Sequence, residues 1–558
     1  MSERIFIAVA WPYADGPLHL GHIAGAYLPP DIFARYHRTK GNEVLMVSGS
    51  DQHGTPITIK AEQEGKKPGQ IATQYHRQFL DSWQRLGISF DLFTSTGTPN
   101  HAEVTQDIFL TLLDRGYIYK ATVSQPLCPR CQRFLPDRYI EGTCPYCQAS
   151  GARGDQCDAC GKPINPVELI DPQCRLCSTT PQFKDSEHFF LRLSAFEDRL
   201  LAWVKQQTHW RPNVFNFTMR YLEEGLRDRA ITRDIDWGIP VPVDGFEDKR
   251  IYVWFEAVIG YLSAAKEWAK SSGDEDGWRS FWQKDKKAKS YYFIGKDNIP
   301  FHTLIWPAML MGYNDDLNLP YDVPANEFLT IEGRKLSTSR HWAVWLPDYL
   351  SRYEPDPLRF LLSINMPETG DTDFSWREFV RRNNDELVAT YGNLVHRVLT
   401  FVYKNFDGCA PTPGGFDSRS QTLLDKAKDT LNTVDGLLYC CHFKQAIKSA
   451  MSLAQEANRY LEEKSPWKVI KEDRQAAANS LYVALTVISN LRTMLYPFLP
   501  FSSQKVHEYL GFEGNIGSCG WKWQDLPPGQ KLLPPEPLFS KLDEAVVEEE
   551  TSRLGATL

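Results

Sequence analysis

The stretch RIFIAVAWPYADGPLHLGH, residues 4–22, decides how the rest of the chain is read. Its first half, RIFIAVAWP, is rich in apolar and β-branched residues and predicts a buried strand. A Gly/Pro turn follows, then a helical stretch that runs to Gly41. Pro29 and Pro30 should break or restart that helix, because proline lacks the N–H that a helix interior needs. A second strand, EVLMVSGS, is expected at 43–50 and ends in DQHGTP. Strand, loop and helix in this order predict an α/β fold with a doubly wound, Rossmann-like parallel sheet. Ligands of such sheets sit beyond the carboxyl ends of the strands. DKRIYVWFEAVIGYL (248–262) and KSYYFIGKD (289–297) read as further strands of the same sheet.

Composition narrows the class. Of the 558 residues 42% are hydrophobic and 24% charged, which excludes a disordered, collagen-like or coiled-coil chain. At roughly 150 residues per domain the length predicts about three or four domains. The net charge of −8 gives no global basic field, so any polyanion must be held by local basic patches. The longest uncharged candidate for a membrane span, residues 298–314, carries Pro300 and Pro307. MSERIFIAVAWPY is too short and too soon broken for a signal peptide. The expectation is a soluble, cytoplasmic protein with no membrane partner.

Eight of the 12 cysteines fall between Cys128 and Cys177 as four C-x-x-C pairs: CPRC at 128, CPYC at 144, CDAC at 157 and CRLC at 174. Without a secretory signal such pairs read as metal ligands before disulfides. One C-x-x-C turn points two thiolates at one ion, and two turns complete a tetrahedral shell suited to Zn²⁺. Four pairs allow two zincs wired in sequence, crossed or nested, and spacing leaves all three open. Cys409, Cys440, Cys441 and Cys519 are scattered and read as small buried apolar residues. The cysteine segment, 118–225, lacks the strand–helix rhythm and reads as an insertion. From about 375 onward strands disappear, and three long stretches with apolar residues at helical spacing predict a helical bundle.

Two short strings carry the candidate chemistry. His19 and His22 stand just after the first strand at a helix N-terminus, where the dipole and free N–H groups favour phosphate. Imidazole N–H groups there can bond charge developing on a triphosphate, and Gly21 lets a flat adenine approach the backbone. GRKLSTSR (333–340) is a Gly-, Ser- and basic-rich loop able to close over phosphates with Lys335, Arg334 and Arg340. Each string alone is equally well an ordinary packed or solvated turn.

Together they resemble a known family. PLHLGH (17–22) is similar to the HIGH signature, and KLSTS (335–339) to the KMSKS loop, of class I aminoacyl-tRNA synthetases. AWPYADGPLHLGH (10–22), GSDQHGTPI (49–57), YVWFEAVIGY (252–261) and FIGKDNIPFH (293–302) resemble the methionyl-tRNA synthetases in particular, in that family's order. The resemblance spans essentially the whole chain. It implies activation of L-methionine by ATP, with Mg²⁺, to methionyl-adenylate, then transfer to the 3′-terminal adenosine of initiator and elongator methionine tRNA.

The resemblance also implies site residues. His19, Gly21, His22, Lys335 and Thr338 match the ATP-binding and catalytic positions. Asp51 matches the carboxylate that holds the substrate ammonium. Ala10, Trp11, Tyr13, Trp254, Ala257, Tyr261 and His302 match the methionine pocket, where a polarizable thioether suits an aromatic box. Shape alone discriminates by only roughly 1–3 kcal/mol per methylene, so hydrogen bonding to sulfur is expected to help. Two departures stand out: Trp11 replaces the family's usual Leu, so its indole must point elsewhere or reshape the wall, and Thr338 replaces the second signature lysine. In the family, pairs two and three (Cys144, Cys147, Cys157, Cys160) bind one zinc. Pairs one and four (Cys128, Cys131, Cys174, Cys177) match a second knuckle found in some members, so nested, structural zincs are expected. Asn393 and Arg397, on one helix face, match anticodon-reading positions with Trp467.

The expected division is a catalytic domain at 1–117 and 226–325, the insertion at 118–225, a signature-loop linker domain at 326–375, an anticodon-binding bundle at 376–535 and a C-terminal peptide at 536–558. The bundle is followed by the Pro-rich run LPPGQKLLPPEP, which leaves too little chain for an added β-barrel and predicts a monomer. A nucleotidyltransferase that adenylates a small metabolite without tRNA would need neither knuckles nor bundle. A zinc-ribbon nucleic-acid binder would not need His19, His22, Asp51 and Lys335 together.

Overall fold

The computed structural model describes residues 2–555 apart from 158, 161 and 163. At its centre is a five-stranded sheet in the spatial order Ala325–Asn326, Lys289–Gly295, Arg4–Val9, Glu43–Ser50, Leu92–Ser95. Every neighbouring pair is parallel. Ile5 to Val9 are fully buried, as a central parallel strand covered on both faces must be. The chain winds from this strand to one edge, then resumes on its other side with Lys289–Gly295. The reversal opens a crevice at the carboxyl ends of these two strands, where an α/β sheet takes its ligand. Ala10 stands at its lip, its N–H donating to the Phe293 carbonyl at 3.1 Å.

The expected strand at 248–262 is not there. Only Arg250–Ile251 is extended, paired antiparallel with Thr232–Arg233 outside the main sheet. Val253–Ser271 is a 19-residue helix. Its apolar residues are buried on most sides, and a short apolar run without periodicity looks the same in a buried helix and a buried strand. The prolines act as expected. Leu28–Thr39 is a restarted helix with proline in its first turn, joined to the helical turn Leu20–His22 by a π segment, Ile23–Tyr27.

The insertion is built on a long antiparallel ribbon, Ile118–Cys128 against Gln182–Leu191. Beyond it lies a three-stranded sheet of Ile140–Thr143, Ala152–Arg153 and Ile170–Cys174, with Cys128 at the end of the ribbon and Cys174 at the end of this sheet's last strand. The C-terminal part is helical, with long members Ser418–Tyr439, Phe443–Lys464 and Arg474–Leu495. The first two read as one continuous stretch in the sequence. They are separated at Cys441, whose φ of +57° ends the helical path.

A buried ion-pair hub ties sheet to bundle. Asp31 and Arg359 are fully buried and pair at 2.7 Å, and Arg35 joins Asp31 at 2.9 Å. Burial alone would raise the Asp31 carboxyl, but the two guanidinium groups hold it down to about 2. Arg359 donates onward to the Pro497 and Phe498 carbonyls of the bundle. The tail also folds back: Arg352 grips the buried Glu550 carboxylate with two contacts of 2.8 Å. Residues 556–558 of the expected C-terminal peptide lie outside the described residues. Among the described residues no helix is long and apolar enough to cross a membrane.

Candidate active site

His19 and His22 cap each other. The His22 N–H donates to His19 Nδ1 at 3.4 Å, and the His19 N–H donates to His22 Nδ1 at 3.2 Å. The rings stack 3.7 Å apart at 15°. Because each Nδ1 accepts, each neutral ring carries its proton on Nε2. Burial lowers the His19 pKa to about 4, and burial together with His19 takes His22 well below its ordinary value. Both are therefore neutral Nε2–H donors at pH 7, a form suited to charge that develops during a reaction.

The second signature packs on the first. A Cβ on Gly21 would lie 2.4 Å from Leu336 Cδ1, so the leucine tip sits in the space that the missing Cβ leaves open. The Leu20 N–H donates to Val344 O at 3.1 Å, and the Leu346 N–H to Leu18 O at 2.7 Å. Lys335 lies in a hairpin, Leu329–Ile331 against Arg334–Lys335, whose turn residues Glu332 and Gly333 both have positive φ. Lys335, Thr338 and Arg340 are exposed. The structure brings the loop onto Gly21, but no direct contact joins Lys335 or Thr338 to the histidines among the described residues.

Asp51 follows directly on the second strand and is 3% exposed. It bridges to Tyr13 through the backbone: the Asp51 N–H donates to Pro12 O and its carbonyl accepts from the Ala14 N–H, each at 2.8 Å. Burial first, and the Glu256 charge second, push its pKa well above the ordinary carboxylate value. A buried carboxylate without its own cation is a ready receptor for an ammonium group.

Trp254, Ala257 and Tyr261 share one face of the helix Val253–Ser271, at i, i+3 and i+7. The Trp254 Nε1–H donates to the Tyr13 hydroxyl at 2.9 Å, and Phe301 meets the Trp254 ring edge-on at 4.8 Å. His302 sits in a π segment, Phe301–Ile305. Its Nδ1–H donates to Asn298 O at 2.8 Å, so Nε2 accepts the Tyr261 O–H at 2.7 Å. Burial lowers the His302 pKa to about 4, which keeps this tautomer neutral. The phenol proton is therefore committed to His302.

The Trp11 question resolves through two glycines. A Cβ on Gly49 would lie 2.4 Å from the indole, and one on Gly260 would lie 2.7 Å from it. The ring thus slots between the second strand and the pocket helix, with His101 6.0 Å away. Its Nε1–H is buried without a partner. Nothing in the spacing of residues 49 and 260 announced this pairing. Also unforeseen was a buried cluster of Glu256, His53 and His101 behind Asp51. A lone acid on an apolar helix face was its only signal.

The eight clustered cysteines form two groups, Cys128/Cys131/Cys174/Cys177 and Cys144/Cys147/Cys157/Cys160, each with its sulfurs within 4.8 Å of one another. The wiring is nested. Sulfur separations of 3.5 Å (Cys128–Cys177), 3.6 Å (Cys147–Cys157) and 3.9 Å (Cys131–Cys174, Cys144–Cys160) far exceed a disulfide bond. They match the edge of about 3.8 Å that a tetrahedron with metal–sulfur bonds of about 2.3 Å requires. Gln132, Gln148 and Ser178, each just after a pair, have positive φ and curl the turn back on its ion position. The donors and geometry fit a four-thiolate metal site in both groups.

In the bundle, Asn393 opens the helix Asn393–Asn405 directly after a π segment, Asn383–Gly392. Asn393 is exposed. Arg397 and Trp467 are stacked, with the guanidinium carbon 3.4 Å from the indole centre. Each of the three π segments among the described residues thus adjoins or holds an expected site residue: His22, His302 or Asn393.

Comparison with known proteins agrees with this geometry. Residues 5–399 match the family model of class I tRNA synthetases (M). The chain belongs to the methionyl-tRNA synthetase family. Residues 410–557 match the model for the anticodon binding domain of methionyl tRNA ligase. The chain is 64% identical over 555 residues to the methionine–tRNA ligase of Dehalococcoides mccartyi, with 100% of both chains covered. It is 53% identical over 582 residues to that of Thermomicrobium roseum, again over 100% of both. Among solved structures, the Mycobacterium tuberculosis methionyl-tRNA synthetase in complex with methionyl-adenylate superposes with a TM-score of 0.81 at 27% identity. That match covers 97% of this chain and 100% of the other.

Proposed function

We propose that the protein is a methionine–tRNA ligase that activates L-methionine with Mg²⁺-ATP and transfers it to the 3′-terminal adenosine of methionine tRNA. The observation that carries this reading is the buried, cation-free Asp51 carboxylate beside an aromatic pocket at the switch point of the sheet. Asp51 takes the substrate ammonium. Tyr13, Trp254, Ala257, Tyr261 and His302 enclose the thioether, and the main-chain N–H of Trp11, next to Ala10, supplies the polar contact to sulfur. The substrate carboxylate then attacks the α-phosphorus of ATP. A new carboxyl O–P bond forms, the bond to the pyrophosphate oxygen breaks, and pyrophosphate leaves with the negative charge. Nε2–H of His19 and of His22 bond that charge, Gly21 admits the adenine, and the loop of Lys335, Thr338 and Arg340 closes over the phosphates. In the second step a ribose hydroxyl of the tRNA attacks the mixed anhydride and AMP leaves.

Zn²⁺ in the two cysteine groups would cross-link the insertion without an open coordination position. Asn393, Arg397 and Trp467 read the anticodon, with the guanidinium–indole stack as the platform for an unpaired base. We divide the chain into split catalytic domain, insertion, signature-loop linker, bundle and C-terminal peptide at the boundaries read from the sequence. We place the protein in the cytoplasm as a monomer. ATP–pyrophosphate exchange with methionine, leucine and homocysteine, followed by charging of methionine tRNA, tests the whole reading. Exchange without tRNA charging would leave the rival metabolite-adenylating enzyme, and no exchange with methionine would overturn the assignment.

A further inference from the structure

Behind Asp51 lies a set of polar side chains that adenylation chemistry does not call on. Glu256 is fully buried, His101 is 1% exposed and His53 is 8% exposed. His53 Nδ1 lies 3.1 and 3.0 Å from the two Glu256 oxygens and donates its proton between them. His101 Nε2 faces the same carboxylate at 3.7 Å. The Ser263 hydroxyl lies 2.8 Å from His101 Nδ1 and donates its proton there, which leaves an Nε2–H to face Glu256. Both histidines are therefore turned by named partners, and both turn toward Glu256.

The cluster connects two halves of the pocket. His53 uses its ring on Glu256 and its main-chain N–H on Asp51, donating to Oδ1 at 3.2 Å. Trp237 fixes the same loop from the other side, its Nε1–H donating to Gln52 O at 2.7 Å. Glu256 sits on the helix that carries Trp254, Ala257 and Tyr261. One residue thus spans, by its ring and its main-chain N–H, from the helix of the thioether pocket to the carboxylate expected to hold the ammonium. The charges sort the same way. Two buried carboxylates lie close together, the histidines face one of them, and no ion pair reaches Asp51 among the described residues. An incoming ammonium is directed to Asp51 because Glu256 already has its partners.

We propose that Glu256 is a positioning residue for the amino-acid substrate, holding Asp51 through His53 at a fixed distance from the pocket on its own helix. The inference rests on Asp51 as the ammonium ligand. In exchange assays Glu256→Gln, which is isosteric, should raise the methionine KM about tenfold with the ATP KM unchanged, since a charge-assisted hydrogen bond is lost. His53→Ala should match it, and the double variant should be no worse than either. His53→Asn keeps a donor near Nδ1 and should restore methionine KM to within about threefold of the parent.

An unchanged methionine KM in Glu256→Gln overturns the proposal. So does a parallel rise in both KM values with a lowered Tm, or His53→Asn as impaired as His53→Ala. The two histidine variants decide the matter if Glu256→Gln does not fold. Asp51→Asn separates the two readings. If it leaves methionine KM unchanged, the ammonium assignment falls and this inference with it. If it raises KM while Glu256→Gln does not, only this inference falls.

Discussion

The guanidinium of Arg397 lies over the indole of Trp467, 3.4 Å from carbon to ring centre. The stack holds both side chains against each other, which limits the side-chain ordering left for a binding step. It also covers one indole face, so a base read by this pair, as proposed, would extend the stack from the guanidinium side or take the opposite face.

Trp467→Ala and Arg397→Ala should each lower kcat/KM for tRNA charging by about 10- to 100-fold, the range expected when a stacked base loses its platform. Methionine-dependent exchange should stay within about twofold, because the pocket lies in the other half of the molecule. Parallel assays of charging and exchange check the separation, and equal losses in both would contradict an anticodon role.

Replacing His22 by Ala should slow adenylate formation and leave methionine KM nearly unchanged, since the Nε2–H acts on charge that appears only in the transition state. A weakened methionine KM with normal turnover would assign the residue to substrate binding instead.

Stability should fall with acid. His37, His302 and His19 are held neutral by burial, with pKa values lowered to about 3, 4 and 4. Below the unfolded value near 6.5 the unfolded chain takes up protons that the folded chain refuses, so stability is full above that pH and declines as pH drops toward 4. Each such histidine costs about 1.4 kcal/mol one unit below 6.5. Urea midpoints at pH 7.5 and 5.5 measure this, and equal midpoints would mean the histidines titrate normally.

Gly260→Ala should place a methyl group against the Trp11 indole and raise methionine KM, with an overpacking penalty of about 1–3 kcal/mol in thermal unfolding. Trp11→Leu in the same chain should relieve it. A double variant as impaired as Gly260→Ala would mean that the indole is not what the methyl group meets.

Metal content checks the insertion. Two zinc ions per chain are expected by elemental analysis, and Cys144→Ser should remove one and loosen the insertion. No metal at all would leave eight thiols gathered for another reason.

The catalytic sheet was legible where strands are central: Arg4–Val9 and Glu43–Ser50 have the apolar composition that burial on both faces demands. The helix Val253–Ser271 was not, because burial removes the polar face that would have shown a helical period. Expected site residues fell at the switch point because their motifs sit at strand ends. The commitment of the Tyr261 proton was invisible, since it depends on the Asn298 carbonyl fixing a tautomer. The seat of the Trp11 ring depends on Gly49 and Gly260, far apart in sequence, each informative by what it lacks.

The cysteine groups close like brackets within brackets. Cys144 and Cys160 are 16 positions apart, and Cys128 and Cys177 enclose them at 49. The inner bracket can shut on its own short loop, and once shut it shortens the chain the outer one must gather, each halving of free loop being worth about 0.6 kcal/mol. At equilibrium the help is mutual, but in order of closure the shorter inner loop comes first. A lesion in the inner group leaves the outer closing a slack loop, whereas a lesion in the outer group leaves the inner intact. The insertion has a direction of assembly, from its tip back toward the sheet, and should come apart in the reverse order.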